Sequence, residues 1–330
     1  MRKILVTGGA GFVGRHFVRH FLEHGDVVHV IDCVAKYTGG IDPTGGWPLF
    51  EPRDFANFNF LREDCRDFFR RVHDTDYDYV LHLAAMVGGR LMIENNPIAV
   101  ADDLSIDAAY WQWATVAKPK KTLCFSSSAA YPIKFQRSDD YMLLREDMIS
   151  FEEDLGMPDM SYGWAKLTCE YLARLAYQKH GLKSVCYRPF SGYGEDQDDT
   201  YPFPSICKRA LAHKGAAVLE VWGSGTQMRD FIHVDDCVAG VIKTMDKIDD
   251  GDAVNLSTGI YTSFIDFARL AAEQCGYRPD VRGMEDKPAG VHARGGDVTK
   301  QKALGFTYDI DFRTGISRAL EYYTRGSTRA

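Results

Sequence analysis

The chain opens on a short, uninterrupted apolar run. Lys3-Ile-Leu-Val-Thr7 predicts a parallel strand buried on both faces. Gly8-Gly9-Ala10-Gly11-Phe12-Val13-Gly14 follows at once, and helical spacing then puts Val13, Phe17 and Phe21 on one face as far as Gly25, which stops the helix. Asp26 to Asp32 is a second strand ending in an acid. Thr38 to Asn57 is rich in Gly, Pro, Asp and aromatics and predicts a long loop with little regular structure, either a flap over a site or a surface insertion. Further strands are expected at Phe58–Leu61, Tyr79–Ala85, Thr122–Ser126 and Lys183–Tyr187. Helices are expected at Ile98–Ala117, ending before Pro119, and at Ser161–His180.

This alternation of strand and helix predicts an α/β fold: a Rossmann-type doubly wound parallel sheet covered on both faces. After Arg188-Pro189 the character changes. Gly192 to Pro204 is an acidic loop, Ser205–His213, Asp235–Thr244 and Phe264–Gln274 read as helices, and Val218–Val221 and Ala253–Leu256 read as strands. The expected organisation is a dinucleotide-binding domain over 1–188, rejoined by about 235–258, with a smaller, interleaved substrate lobe over 189–330.

Composition narrows the class. An apolar content of 45%, a charged content of 26% and a net charge of −7 describe a soluble globular protein with no pull toward nucleic acid or an anionic membrane. No apolar run approaches the roughly 20 residues that span a bilayer, and Lys3–Thr7 leads into a glycine turn rather than a signal peptide. The eight cysteines form no Cys-x-x-Cys pair and the ten histidines no His-Glu-x-x-His pattern. Reduced thiols, a cytoplasmic setting and no metal are therefore expected.

The first turn carries chemistry. Gly8 permits a tight turn, Gly11 lets backbone amides approach a pyrophosphate, and Gly14 lets helix and strand pack closely. Asp32, at the end of the second strand, suits the ribose hydroxyls and repels a 2′-phosphate. NAD is therefore expected over NADP, unless Lys36 or Arg53 folds back. In the helix Ser161–His180, Tyr162 and Lys166 lie one turn apart on the same face. A cation there lowers the tyrosine's pKa and makes it a usable proton acceptor.

These features coincide with Asp64, His82-Leu83-Ala84-Ala85, the cluster Ser126-Ser127-Ser128, and Arg188 with Tyr193-Gly194. Together they resemble the extended short-chain dehydrogenase/reductase family, in the order found in its NAD-dependent nucleotide-sugar epimerases, dehydratases and reductases. Ala84 to Gly89 and Val221 to Asp236 look like GDP-fucose synthase; Pro288 to Arg294 looks more like GDP-mannose 3,5-epimerase. The resemblance implies a GDP-sugar substrate, with Tyr162 as catalytic base and Lys166 on the nicotinamide ribose. Ser127, or else Ser128, would hydrogen-bond the hydroxyl being oxidised. Asp64 would meet the adenine. It further implies cofactor contacts from Phe12, Val13, Cys33, Cys65, Leu83, Ala84, Ala85, Ser126 and Pro189. Gly88, Arg90, Ser191 and Trp222 would contact the substrate, and Arg229 and Arg294 would clamp its diphosphate. His233 is expected to order its own loop.

The departures set the activity. Both GDP-sugar enzymes carry a cysteine two residues before the tyrosine that follows the serines, to move protons at sugar carbons 3 and 5; here that residue is Ala129. Their second acid/base falls near Tyr201-Pro202, and neither residue replaces it well. The dehydratases' Asp-Glu pair is Ser128-Ala129, and two family asparagines become Asp103 and Ser191. A redox centre confined to one hydroxyl remains. The expected activity is a nucleotide-sugar epimerase working by transient oxidation at C4. The alternatives are a GDP-sugar 4-dehydrogenase or 4-keto reductase, a GDP-mannose 3,5-epimerase-like enzyme, and a non-catalytic NAD-binding scaffold. A homodimer through the helices Ile98–Ala117 and Ser161–His180 is implied by the family. It is also suggested by their many apolar residues, Trp111, Trp113, Leu167, Leu172 and Leu175.

Overall fold

A computed structural model describes residues 1–36, 38–73, 75–86, 90–287 and 290–327. In chain order the strands are β1 Lys3–Thr7, β2 Val27–Ile31, β3 Phe58–Leu61, β4 Tyr79–His82, β5 Lys121–Phe125, β6 Ser184–Pro189, β7 Val218–Trp222, β8 Met228–Arg229, β9 Asp250–Leu256, β10 Thr262–Ser263, β11 Asp280–Met284 and β12 Ala293–Arg294. The helices are α1 Phe12–Glu23, α2 Cys65–Arg71, α3 Arg90–Asn95, α4 Pro97–Val100, α5 Asp102–Ala117, α6 Met160–His180, α7 Pro202–Ala212, α8 Val234–Thr244, α9 Phe264–Gln274, α10 Thr299–Ala303 and α11 Phe312–Ser327.

Seven strands form one parallel sheet in the order β3-β2-β1-β4-β5-β6-β9. The strand order reverses between β1 and β4, so a crevice opens at the carboxyl ends of those two strands, where such sheets bind ligands. The apolar runs read from the sequence are buried as expected, because both faces are covered. Phe17 and Phe21 of α1 and Val238 and Val241 of α8 close one face. Phe68 and Phe69 of α2, Tyr110 and Trp113 of α5 and Ala173 of α6 close the other. A third core joins α7, α9 and α11 to the two-stranded sheet β11-β7 through Phe203, Phe231 and Phe267. Between these bodies lies a small sheet, β10-β8-β12, made of two-residue strands.

Two expectations need correction. The helix Ile98–Ala117 is broken at Ala101 into α4 and α5; the second begins with Asp102 and Asp103 in its first turn, where the helix dipole favours negative charge. Trp111, Trp113 and Leu167, read as surplus apolar surface, are buried inside the chain itself. The apolar side chains that α4, α5 and α6 do expose are Ile98 (85%), Leu104, Val116, Trp164, Tyr171 and Tyr177.

The loop 38–57 has only two short 3-10 turns, at Pro43–Gly45 and Pro52–Asp54. It is nevertheless packed down. Trp47 is buried in the α1-side core with its indole nitrogen donating to the Ile41 carbonyl (2.8 Å), and the Ile41 amide donates to the Ala10 carbonyl (3.0 Å). All eight cysteines are free, and seven of them are buried. Among the described residues no helix is long and apolar enough to cross a membrane, and no group of three His, Cys, Asp or Glu could hold a metal ion.

Candidate active site

The glycine turn is fixed by close backbone approach. Gly8 has φ +71°, and a Cβ on it would stand 2.6 Å from the Ala84 amide nitrogen; one on Gly14 would stand 2.4 Å from the Gly8 carbonyl oxygen. Both positions therefore exclude a side chain, as their sequence roles require. Gly11 caps α1, whose N-terminus faces the crevice edge formed by β1 and β4. Phe12 packs its ring over Gly194, where a Cβ would stand 3.1 Å from it.

Asp32 is buried at the end of β2. Its two oxygens accept from the amides of Ala10 (3.0 Å) and Val34 (2.8 Å), and burial raises the carboxyl's pKa despite those bonds. Arg53, a candidate for a 2′-phosphate, is committed to Glu51 through Nε and Nη2, both at 2.9 Å. Cys33 is exposed beside Asp32. Asp64 caps α2, accepting from the Arg66 amide (2.9 Å) and pairing with the Arg66 guanidinium (2.6 Å), so its carboxylate already serves the protein. The Cys65 thiol points into the α2–α5 core. Leu83, Ala84 and Ala85 are half-buried just past β4, and Pro189 ends β6.

The residues expected to be catalytic, Ser127, Tyr162 and Lys166, lie after β5 and in the first turns of α6. Ser127 caps a 3-10 turn at Ser128–Ala130, accepting from the Ala129 amide (3.1 Å). The Asp159 amide donates to the Ala129 carbonyl (2.9 Å), and Gly163 then passes so close that a Cβ there would stand 2.4 Å from that same oxygen. This contact seats the first turn of α6 against the Ser127 turn, and the Ser127 hydroxyl acts to lower the pKa of the Tyr162 phenol. The Lys166 ammonium lies 5.7 Å from the Tyr162 ring centroid. Lys166 is buried, and among the described residues it makes no hydrogen bond or ion pair. Burial opposes its charge, but Asp103, Tyr162 and Asp107 outweigh burial and raise its pKa.

The sum at Tyr162 differs from the expectation. Lys166 does pull the phenol's pKa down, but burial is the larger influence, and with Asp103 it leaves the pKa above its ordinary value. Tyr201, just before α7, is a second phenol in this cluster: burial raises its pKa, and the nearby Tyr162 adds to the rise.

Other assigned residues have structural duties. The Ser126 hydroxyl donates to Glu170, which also holds Arg188 in a buried pair (Nη2–Oε2 2.6 Å). Ser128 is buried, and Ser191 is half-buried beyond β6. Arg229 and Arg294 are register neighbours on β8 and β12, as a two-arginine clamp requires. Arg294, however, donates to Gln136 (2.7 Å) and to Asp159 (2.8 Å), the residue that precedes α6. Arg229 stacks over Phe264 at 5.6 Å and donates to the Met228 carbonyl (2.8 Å). Trp222 is 41% exposed at the end of β7. His233 caps α8, accepting from the Asp235 amide (3.1 Å), as expected of a loop-ordering residue. Gly88 and the Arg90 side chain lie outside the described residues, as do Val87, Gly89, Pro288 and Ala289.

Sequence reasoning missed the Asp159–Arg294–Gln136 connection, which joins positions far apart in the chain. It also missed Gly163 as the contact that seats α6. The glycine turn, the acid at the end of β2 and a buried ammonium beside Tyr162 all suit a nicotinamide dinucleotide. A parallel sheet of this order with that turn defines a Rossmann-type dinucleotide enzyme.

The chain belongs to the NAD dependent epimerase/dehydratase family, whose model matches residues 4–257. It is thus an NAD-dependent enzyme of the extended short-chain dehydrogenase/reductase class. It is 27% identical to the low-salt glycan biosynthesis protein Agl12 of Haloferax volcanii, covering 97% of this chain and 98% of that protein. It is 27% identical to GDP-L-fucose synthase 1 of Arabidopsis thaliana, covering 98% and 93%. Among solved structures it superposes on the UDP-N-acetylglucosamine 4-epimerase of Methanobrevibacter ruminantium with a TM-score of 0.82 at 22% identity, covering 98% and 99%.

Proposed function

We propose that this enzyme is a nucleotide-sugar epimerase that oxidises and re-reduces C4 of a GDP-linked hexose or related sugar. The observation that carries the reading is Ala129: where a proton-carrying cysteine would serve C3 and C5, a buried methyl (3% exposed) stands beside an otherwise assembled Ser127, Tyr162 and Lys166. Bound NAD supplies the hydride acceptor. Tyr162 takes the proton of the C4 hydroxyl, Ser127 hydrogen-bonds that hydroxyl, and Lys166 binds the nicotinamide ribose and favours the phenolate. With NAD bound, oxidation at C4 would pass the O–H proton to Tyr162 and leave a 4-keto sugar. Reduction of that ketone on the opposite face of C4, with Tyr162 returning the proton to the oxygen, would give the epimer with no net redox change.

Gly8, Gly11 and Gly14, with the amides of Phe12 and Val13, receive the pyrophosphate, and Asp32 receives the ribose hydroxyls. Arg229 and Arg294 bind the substrate diphosphate, Arg294 while tied to Asp159, and Trp222 and Ser191 are further substrate contacts. Residues 1–188, rejoined by 235–258, serve NAD; 189–330 serve the sugar nucleotide. The exposed apolar residues of α4, α5 and α6 support a homodimer, and the thiol chemistry a cytoplasmic setting. The full-length likeness to GDP-L-fucose synthase 1 supports a GDP-sugar; the UDP-linked structure at 22% identity bears on fold alone.

A second reading, a GDP-sugar 4-dehydrogenase or 4-keto reductase, shares the same hydride step and differs only in what is released. Incubation with NAD and a panel of GDP-, UDP-, CDP- and dTDP-sugars separates them. A C4 epimer without NADH accumulation is expected from a GDP-hexose. Stoichiometric NADH with a keto product moves the assignment to the second reading. Deuterium entering C3 or C5 in heavy water would overturn the argument from Ala129. If no sugar turns over and Tyr162→Phe still binds NAD normally, the protein is a scaffold.

A further inference from the structure

Asp103 stands in the first turn of α5, 1% exposed. One carboxyl oxygen accepts from the Met86 amide; the other, Oδ2, is buried with no hydrogen-bond partner among the described residues. A carboxylate left half-solvated in a protein interior is costly unless a charge compensates it. The compensating charge is Lys166 on the packed helix α6, itself buried without a hydrogen bond or ion pair among the described residues. Among the described residues, the other titratable groups acting on Asp103 are Asp107 and Asp102 of its own helix, and Tyr162 of α6 is acted on in turn by Asp103 and by Arg294 of β12. Arg66 of α2 is spent on Asp64 and Asp102, and Asp107 accepts from His82 Nε2 of β4 (3.1 Å); α4 carries no charge.

We propose that Asp103 is a positioning residue of the catalytic centre, one whose buried negative charge acts through Lys166 and sets the pH range over which Tyr162 serves as a base. Where an asparagine would be neutral at every pH, a carboxylate here opposes Lys166: it steadies the ammonium and makes the phenolate harder to form. Burial also pushes the Asp103 carboxyl up to about 6, so its charge is complete only above neutrality. The centre would thereby work in a more alkaline range than the same tyrosine and lysine beside an asparagine.

This inference rests on Tyr162 being the base, and its test separates the two. The phenolate absorbance of Tyr162 is titrated as the difference between the protein and its Tyr162→Phe variant, in the native and the Asp103→Asn backgrounds, each with NAD. Asp103→Asn keeps an acceptor for the Met86 amide and removes the charge. The titration is expected to move to lower pH by on the order of one unit, the scale of one charge several ångströms away in a partly polarisable interior. The acid limb of kcat moves with it. Asp107→Asn, whose carboxylate is bound to His82, is expected to leave the Tyr162 titration within a few tenths of a unit. If Asp103→Asn does not fold, Asp103→Ser is read in the same way. A folded variant whose phenolate titration stays in place or moves upward overturns the proposal. Absence of turnover with every sugar would sink the proposed activity and leave the absorbance titration still decisive for Asp103.

Discussion

Gly163 offers the most direct test of how the Tyr162 helix is seated. Its missing side chain lets α6 run against the Ser128–Ala130 turn: a Cβ would stand 2.4 Å from the Ala129 carbonyl oxygen and 3.0 Å from Pro158 Cβ. An ordinary carbon–oxygen contact is about 3.3 Å, so Gly163→Ala must open the gap by roughly 1 Å. The obstacle is backbone, and that carbonyl is already held by the Asp159 amide at 2.9 Å, so no side chain can swing away to make room. Overpacking of this kind costs about 1–3 kcal/mol. The gain in helix propensity from Gly to Ala, about 1 kcal/mol, offsets only part of it. The displacement also falls on Tyr162, the adjacent residue, moving its phenol off Ser127. A misplacement near 1 Å is expected to lower kcat on the order of 100-fold, with KM for the sugar changing far less. Gly45→Ala is the control, because nothing lies within 4 Å of a Cβ there. Urea unfolding gives the stability and steady-state kinetics the rate. A Gly163→Ala enzyme with native kcat and native midpoint would show that the close approach at Ala129 does not position Tyr162.

Two further outcomes test the buried charge networks. His16 is buried between Asp196 (2.9 Å) and Asp235 (3.3 Å); burial disfavours its charge, but the two carboxylates outweigh it and raise its pKa to about 9. Because the folded value lies above the unfolded value of about 6.5, the stabilisation is complete below pH 6.5 and disappears as pH rises through 9. It amounts to on the order of 3 kcal/mol. The urea midpoint should fall over that window, and His16→Gln should flatten the dependence. For Arg188 and Glu170, paired at 2.6 Å in the core, Glu170→Gln leaves an uncompensated cation and should cost about 3–5 kcal/mol in urea unfolding. The double change Arg188→Met with Glu170→Leu should recover much of that loss.

The parts of the fold legible in the sequence are short apolar runs buried on both faces, such as β1, and elements of which one face meets one core. Phe58–Leu61 and Phe264–Gln274 begin and end where their apolar pattern says, because β3 and α9 each bury a single repeating face. The small sheet was not legible. Met228–Arg229, Thr262–Ser263 and Ala293–Arg294 are two-residue strands, too short to show a period, and they exist only because distant segments converge. The long C-terminal helix Phe312–Ser327 and the edge strand Asp280–Met284 also went unread, although Phe312, Ile316 and Leu320 carry helical spacing in plain view. The loop 38–57 showed its composition but not its anchor, since nothing local says that Trp47 reaches the α1 core. The candidate site divides in the same way. Spacing alone put Tyr162 over Lys166 and the glycines beside β1, whereas the sign of the Tyr162 shift depends on burial and on Asp103, neither of which a helical repeat reveals.

Arg294 has a duty on the substrate side that residue type alone does not reveal. Its cross-strand neighbour is Arg229, and two guanidinium groups at one small sheet look like a diphosphate clamp. The planar fork of Arg294 instead spans two protein acceptors, Gln136 Oε1 and Asp159 Oδ2, which a single-point ammonium could not do. Asp159 is followed by Met160, whose φ of 56° is uncommon for a residue with a side chain, and then by Ser161 and Tyr162. A backbone held in that region persists only where its surroundings over-determine it. Here they do: the Asp159 amide is tied to Ala129, the Gly163 amide to the Asp159 carbonyl (2.9 Å), and the Asp159 carboxylate to Arg294. The small sheet that carries Arg229 and the helix that carries Tyr162 are thus joined by one charge-assisted hydrogen bond at the start of α6. The spacing between Arg229 and the Tyr162 phenol is therefore a property of that joint rather than of either element alone.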